Sequence, residues 1–163
     1  MEVAFRLLQW LAFSVRPISL DEAVEVLATD PDAAEGEPMF DPRRRLYDPR
    51  DVLKMCSSLV TLTASQDHVF DEDGDEESRI EQGFKSLSET QVIILAHFSV
   101  RDYLTSDHLR MRDERTSFYH FNKQLADTSI AKTCLAYLLE FDEDWVTRSA
   151  PQPYALLDYA ARS

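Results

Sequence analysis

Residues 48–63 run DPRDVLKMCSSLVTLT, and the periodicity of the chain changes halfway through them. Asp48 followed by Pro49 is a helix start. The carboxylate offers an acceptor to the unpaired first-turn amides, and proline at the first helical position loses no hydrogen bond. Asp51 then falls in the first turn, and Val52, Leu53 and Cys56 supply an apolar face. From Leu59 the pattern becomes Leu-Val-Thr-Leu-Thr, β-branched and alternating, which predicts a strand. A helix passing so quickly into a strand needs helices before it to pack against and a partner strand after it.

Both are present. From Val3 to Phe13, Ala4, Leu7, Leu8 and Leu11 recur at helical spacing while Arg6 and Gln9 share another face, and Pro17 closes the helix. Ser19-Leu20-Asp21-Glu22 has capping-box form, with the Ser19 hydroxyl accepting an amide and Glu22 reaching back. Leu20, Ala23, Val24 and Leu27 form the inward stripe of this second helix. Residues 30–47, with Pro31, Gly36, Pro38 and Pro42, read as a loop. The partner strand is Val92–Phe98. Between the strands, DEDGDEESRIEQG at 71–83 is too charged to pack, and a mobile acidic insertion is expected over about residues 71–90. Three helices followed by a β-hairpin is the layout of a winged helix. The expected fold class is mainly α with a small β-hairpin: a winged-helix domain at 1–106 followed by a helical extension at 107–163.

A short helix at about 99–106, with Ser99 as its cap, ends the first domain and gives way to a polar connection rich in Arg and Asp. A long helix follows, its apolar stripe made by Ile130, Ala131, Cys134, Leu135, Leu138 and Leu139. Pro151 and Pro153 break the chain, and PYALLDYAARS at its end opens a helix with little to bury it, as expected of a piece of a longer protein.

Composition narrows the function classes. Thirty Asp and Glu against 17 Lys and Arg, a net charge of −13 in 163 residues, oppose approach to a phosphate backbone, so no nucleic-acid partner is expected. The predicted third helix sets Asp48 and Asp51 against Arg50 and Lys54, a poor surface for reading bases. Cys56 and Cys134 stand far apart in apolar helical contexts, as expected of reduced, buried thiols in a cytoplasmic protein. No apolar stretch approaches the roughly 18 residues of a membrane span, and no signal peptide is expected.

Candidate chemistry centres on ILAHFSVRDYL, residues 94–104. His97, Ser99 and Asp102 suggest a hydrolytic triad, but a nucleophile elbow needs flanking glycines. This chain has only three, none beside Ser99, so no catalytic residue is assigned and no enzyme activity is expected. Asp71, Asp73 and Asp75 imitate a calcium loop, yet Glu76 stands where glycine is needed and Gln82 where the bidentate glutamate belongs. The four histidines lack zinc-ligand spacing, and no Gly-rich loop can cradle a nucleotide. Neither metal nor cofactor is expected on this chain alone. Arg43, Arg44 and Arg45 form a basic cluster that is either a solvated loop or a docking contact.

Taken together, LLQWLAFSVRPISLDEAVEVLA (7–28), FDPRRRLYDPRDVLKMCSSLVTL (40–62), ILAHFSVRDYL, IAKTCLAYLLEFD (130–142) and PYALLDYAAR (153–162) carry a resemblance. The chain resembles the segment that follows the nucleotide-binding domain in fungal NACHT-type signalling NTPases of the STAND class. That segment is a winged helix named after GPI inositol-deacylase, often followed by ankyrin repeats. The resemblance spans about Val3 to Arg162 and is weaker at 64–90 and 107–124. It implies a non-catalytic regulatory module in signal transduction and fungal non-self recognition. Its partners would be the NACHT and repeat domains of the same protein, with ADP or ATP held by the NACHT domain. The pattern His97, Ser99, Asp102, Tyr103, Leu104 is similar to one whose histidine touches the β-phosphate of ADP in the resting state. His97 therefore either packs into its own core against a local carbonyl or faces a nucleotide held by its neighbour. Arg16 and Arg43 to Arg45 are the expected inter-domain contacts. A free-standing protein-interaction adaptor and a DNA-binding winged helix are the alternatives.

Overall fold

The computed structural model describes residues 2–65, 90–140 and 154–162; the acidic segment 71–83 lies outside them. The chain runs α1 (Glu2–Phe13), β1 (Ile18–Ser19), α2 (Leu20–Ala28), a 3₁₀ turn (Pro42–Arg44), α3 (Asp51–Met55), β2 (Val60–Ser65), β3 (Thr90–Leu95) and α4 (Phe98–Leu104). Then come α5 (Asp107–Arg110), α6 (Glu114–Ser117), α7 (Lys123–Leu139) and α8 (Leu156–Arg162). β3 is the central strand, antiparallel to both neighbours in the order β1-β3-β2. Ile93 lies opposite Ile18 on one side and Leu62 on the other. Helix, strand, two helices, then a hairpin whose second strand returns between β1 and β2 is winged-helix topology. The fold is mainly α with a small antiparallel sheet.

Local chemistry explains several boundaries. Ser19 and Glu22 close the capping box in both directions, at 3.1 Å and 2.7 Å. β2 alternates as a half-buried strand should: Val60 inward, Thr61 and Thr63 outward. Gly36, at φ +88, is the third residue of a turn closed by the Glu37 amide donating to the Ala34 carbonyl at 2.9 Å. A left-handed residue at that position belongs to a type II turn and favours glycine.

Other boundaries differ from expectation. α3 starts at Asp51. Asp48 instead accepts the Arg50 amide at 2.9 Å and heads the turn that leads into the helix. β1 was not anticipated, because two residues carry no periodicity and the strand exists only through pairing with β3. The polar connection after α4 holds α5 and α6, pinned by buried Leu109 and Phe121. The polar face expected on α1 is turned to the chain: Gln9 is buried, and the Arg6 guanidinium donates to the carbonyls of Val26 and Thr29 at the C-terminal end of α2.

One core joins the winged helix to the extension. It contains Leu7, Trp10, Ile18, Val26, Val52 and Ile93, and with them Tyr137, Leu156 and Tyr159. The Trp10 and Tyr159 rings lie 5.4 Å apart, and Phe40 meets Tyr137 edge-on at 4.7 Å. α8, expected to lack cover, thus buries Leu156, Tyr159 and Ala160. Cys56 and Cys134 are buried free thiols.

Candidate functional site

β3 ends at Leu95 and α4 begins at Phe98, which leaves His97 at the junction as the N-cap. Its backbone is extended (φ −152, ψ 146), as a capping residue's should be. The side-chain acceptor is Nδ1, which receives the Ser99 amide at 3.2 Å and lies 2.8 Å from the Ser99 hydroxyl. Ser99, expected to be the cap, is the second helical residue. The imidazole reaches the free amide from two residues back, so the hydroxyl is not needed for it. An Nδ1 that accepts an amide leaves the proton of the neutral ring on Nε2.

His97 is exposed and its ring lies 4.3 Å from that of Phe98, itself 74% exposed. The core-packed alternative is therefore not what the structure has. Nε2 makes no hydrogen bond among the described residues, on a residue that is exposed as a whole. A catalytic triad needs Nε2 at the serine and a carboxylate on Nδ1; here Nδ1 faces Ser99, and no bond joins His97 to Asp102 among the described residues.

Ser99 also lines a cavity of about 600 Å³ between α1, the α3–β2 connection and α4, with Leu8, Cys56, Leu59, Val100 and Tyr103. Its wall is mostly apolar. Burial pushes the Cys56 thiol above its ordinary value, so it is a poor nucleophile. No group of His, Cys, Asp and Glu among the described residues is placed to hold a metal. Nor is any helix among them long and apolar enough to cross a membrane.

The four expected inter-domain arginines divide. Arg16 binds Glu22 with both terminal guanidinium nitrogens, at 3.0 Å and 2.6 Å, and lies over the Tyr159 ring at 4.8 Å. Arg45 pairs with Glu25 and lies 5.4 Å from both the Phe40 and Tyr154 rings. Both are engaged by groups of this chain, Arg45 largely buried and Arg16 still exposed. Arg44 stands 4.0 Å from Asp30 and from Glu37, and Arg43 is exposed with no side-chain partner among the described residues. Arg43 and Arg44 are thus the pair left facing solvent.

Glu25 escaped sequence reasoning. Only 2% exposed, its carboxylate takes Arg45, the Tyr137 hydroxyl at 2.6 Å and the Leu156 amide at 2.8 Å. The available signal was its position: a glutamate between Val24 and Val26, one turn beyond Glu22, on a helix otherwise apolar there. Burial, then the bond to Glu25, raises the Tyr137 hydroxyl far above the usual tyrosine range.

No protein-family model matches the chain, and no solved structure matches it. Among curated proteins, the azaphilone pigments biosynthesis cluster protein L of Monascus ruber is 29% identical over 135 residues, which cover 83% of this chain and 24% of that protein. The chain thus spans about a quarter of that relative's length.

Proposed function

We propose that this chain is a non-catalytic winged-helix module of a cytoplasmic NACHT-type signalling NTPase, packing on the nucleotide domain at rest and moving away on activation. The observation that carries the reading is His97, exposed at the β3–α4 junction with Nδ1 occupied by the Ser99 amide, which leaves Nε2 as the ring nitrogen free to donate. A donor so placed can reach a phosphate oxygen across a domain interface without being part of its own core. A contact made only in the closed form biases a two-state equilibrium, as a switch requires. Two further points support the reading: the sequence resemblance, and the Monascus relative, which this chain matches over only 24% of that protein's length. The nucleotide belongs to the neighbouring domain, and ankyrin-type repeats would follow.

The test uses the full-length protein with its nucleotide domain. ADP affinity should fall with His97→Ala and also with His97→Asn, which keeps a side-chain cap for α4 but lacks the Nε2 donor. Unchanged affinity in His97→Asn refutes the nucleotide contact.

One observation favours an adaptor as the second reading: Leu125, Leu135 and Leu139 of α7 are 69%, 60% and 74% exposed. DNA binding has less support. α3 is five residues long and its Lys54 is paired with Asp51; absence of DNA retention at low salt would remove it.

A further inference from the structure

Glu22 and Glu25 lie one turn apart on α2, and each forms the same triad. Glu22 takes Arg16, whose guanidinium lies over the Tyr159 ring. Glu25 takes Arg45, whose guanidinium lies between Phe40 and Tyr154. Both tyrosines belong to the segment that carries α8. Two further bonds tie it down: the Leu156 amide donates to Glu25 at 2.8 Å, and the Val15 amide donates to the Tyr159 hydroxyl at 3.1 Å. α8 itself is seven residues and buries three side chains, far short of what a helix needs to persist alone. Its place therefore rests on the packing of Leu156 and Tyr159 in the core, beside α7 and α2, and on polar contacts of which those to Glu22 and Glu25 trace back to one face of α2.

We infer that α8 is a releasable strap held by two Glu–Arg–Tyr clamps. When a clamp opens, α8 leaves as a unit while the sheet and α1–α4 stay folded. Ion pairs on buried carboxylates suit such a device, the Glu25–Arg45 pair being the more buried of the two. They add little net stability over apolar packing, yet removing one partner leaves an unpaired charge and weakens the site strongly. Release uncovers Trp10, 1% exposed beneath the Tyr159 ring, and with it the side of α1 and α2 that α8 covers. The inference does not depend on the nucleotide contact of His97.

Hydrogen exchange on the 163-residue chain tests it, comparing amides of α8 with those of β3. In the wild type, α8 should exchange faster than β3, because a strap opens below the global unfolding free energy. Glu25→Gln should accelerate α8 at least about tenfold with β3 unchanged. Arg16→Gln, at a site whose side chain is 44% exposed, should give the same pattern to a smaller extent, and it decides the matter should Glu25→Gln not fold. In a Trp145→Phe background, Trp10 is the only tryptophan, and its emission should shift to longer wavelength in both variants. Equal acceleration of α8 and β3 would show one cooperative core and overturn the inference. Unchanged α8 exchange in Arg16→Gln together with Glu25→Gln overturns it too.

Discussion

Tyr137→Phe isolates one bond of the buried cluster. The ring is fully buried and edge-on to Phe40 at 4.7 Å, and phenylalanine keeps that packing without opening a cavity. What is lost is the hydroxyl that donates to Glu25 at 2.6 Å. Glu25 keeps Arg45 and the Leu156 amide. A hydrogen bond to a charged group is worth about 1.5–3 kcal/mol, so urea unfolding at pH 7 should show a loss of that size. The pH dependence adds a sharper check. Burial and the Glu25 carboxylate raise the folded-state pKa of Tyr137 above the unfolded value of 10.0. A raised pKa contributes stability that is complete below the unfolded pKa and is lost as pH climbs through it toward the folded one. Above about pH 10 the wild type should therefore lose about 1.4 kcal/mol more per pH unit than Tyr137→Phe. Tyr159, also raised by burial, is common to both proteins and cancels in the difference. The stability gap should narrow between pH 10 and pH 11.5. A loss below about 0.5 kcal/mol at pH 7, or a gap that stays constant with pH, would refute the account of the cluster.

Two local predictions can be read in the same urea titrations. Ser19→Ala removes the acceptor for the Glu22 amide and should cost about 0.5–2 kcal/mol. Gly36→Ala should cost about 1 kcal/mol although the new Cβ would meet nothing within 4 Å, because the cost lies in holding φ at +88; an unchanged midpoint would show that the turn relaxes.

The elements legible in the sequence are those whose cause is local. The Ser19–Glu22 box involves residues three apart. The helical run of α7 was legible too, but its inward face only in part: Ile130 and Cys134 are buried, whereas Ala131, Leu135 and Leu139 are exposed and Thr133, Ala136 and Tyr137 are buried in their place. The β-branched run of β2 carries its own alternation. Those signals were enough to identify helices, a hairpin and the winged-helix order. At the candidate site, the apolar-His-apolar-Ser pattern marked His97 as the residue to examine.

What the sequence left open was settled by partners distant along the chain. Whether His97 or Ser99 caps α4 depends on where β3 stops, and that follows from its pairing with β2. Arg16 and Arg45 look like free surface charge in one dimension. They are tied into the fold only because Glu22 and Glu25, 6 and 20 residues away, are buried on α2 within reach of them. Glu25 collects groups from as far as 131 residues away, and no short-range pattern announces it. The physical reason is common to all of these. Capping and periodicity are energies of neighbours and are written in order along the chain. The burial of a charge is tolerable only when its partners arrive from elsewhere, so it exists only once the chain has folded.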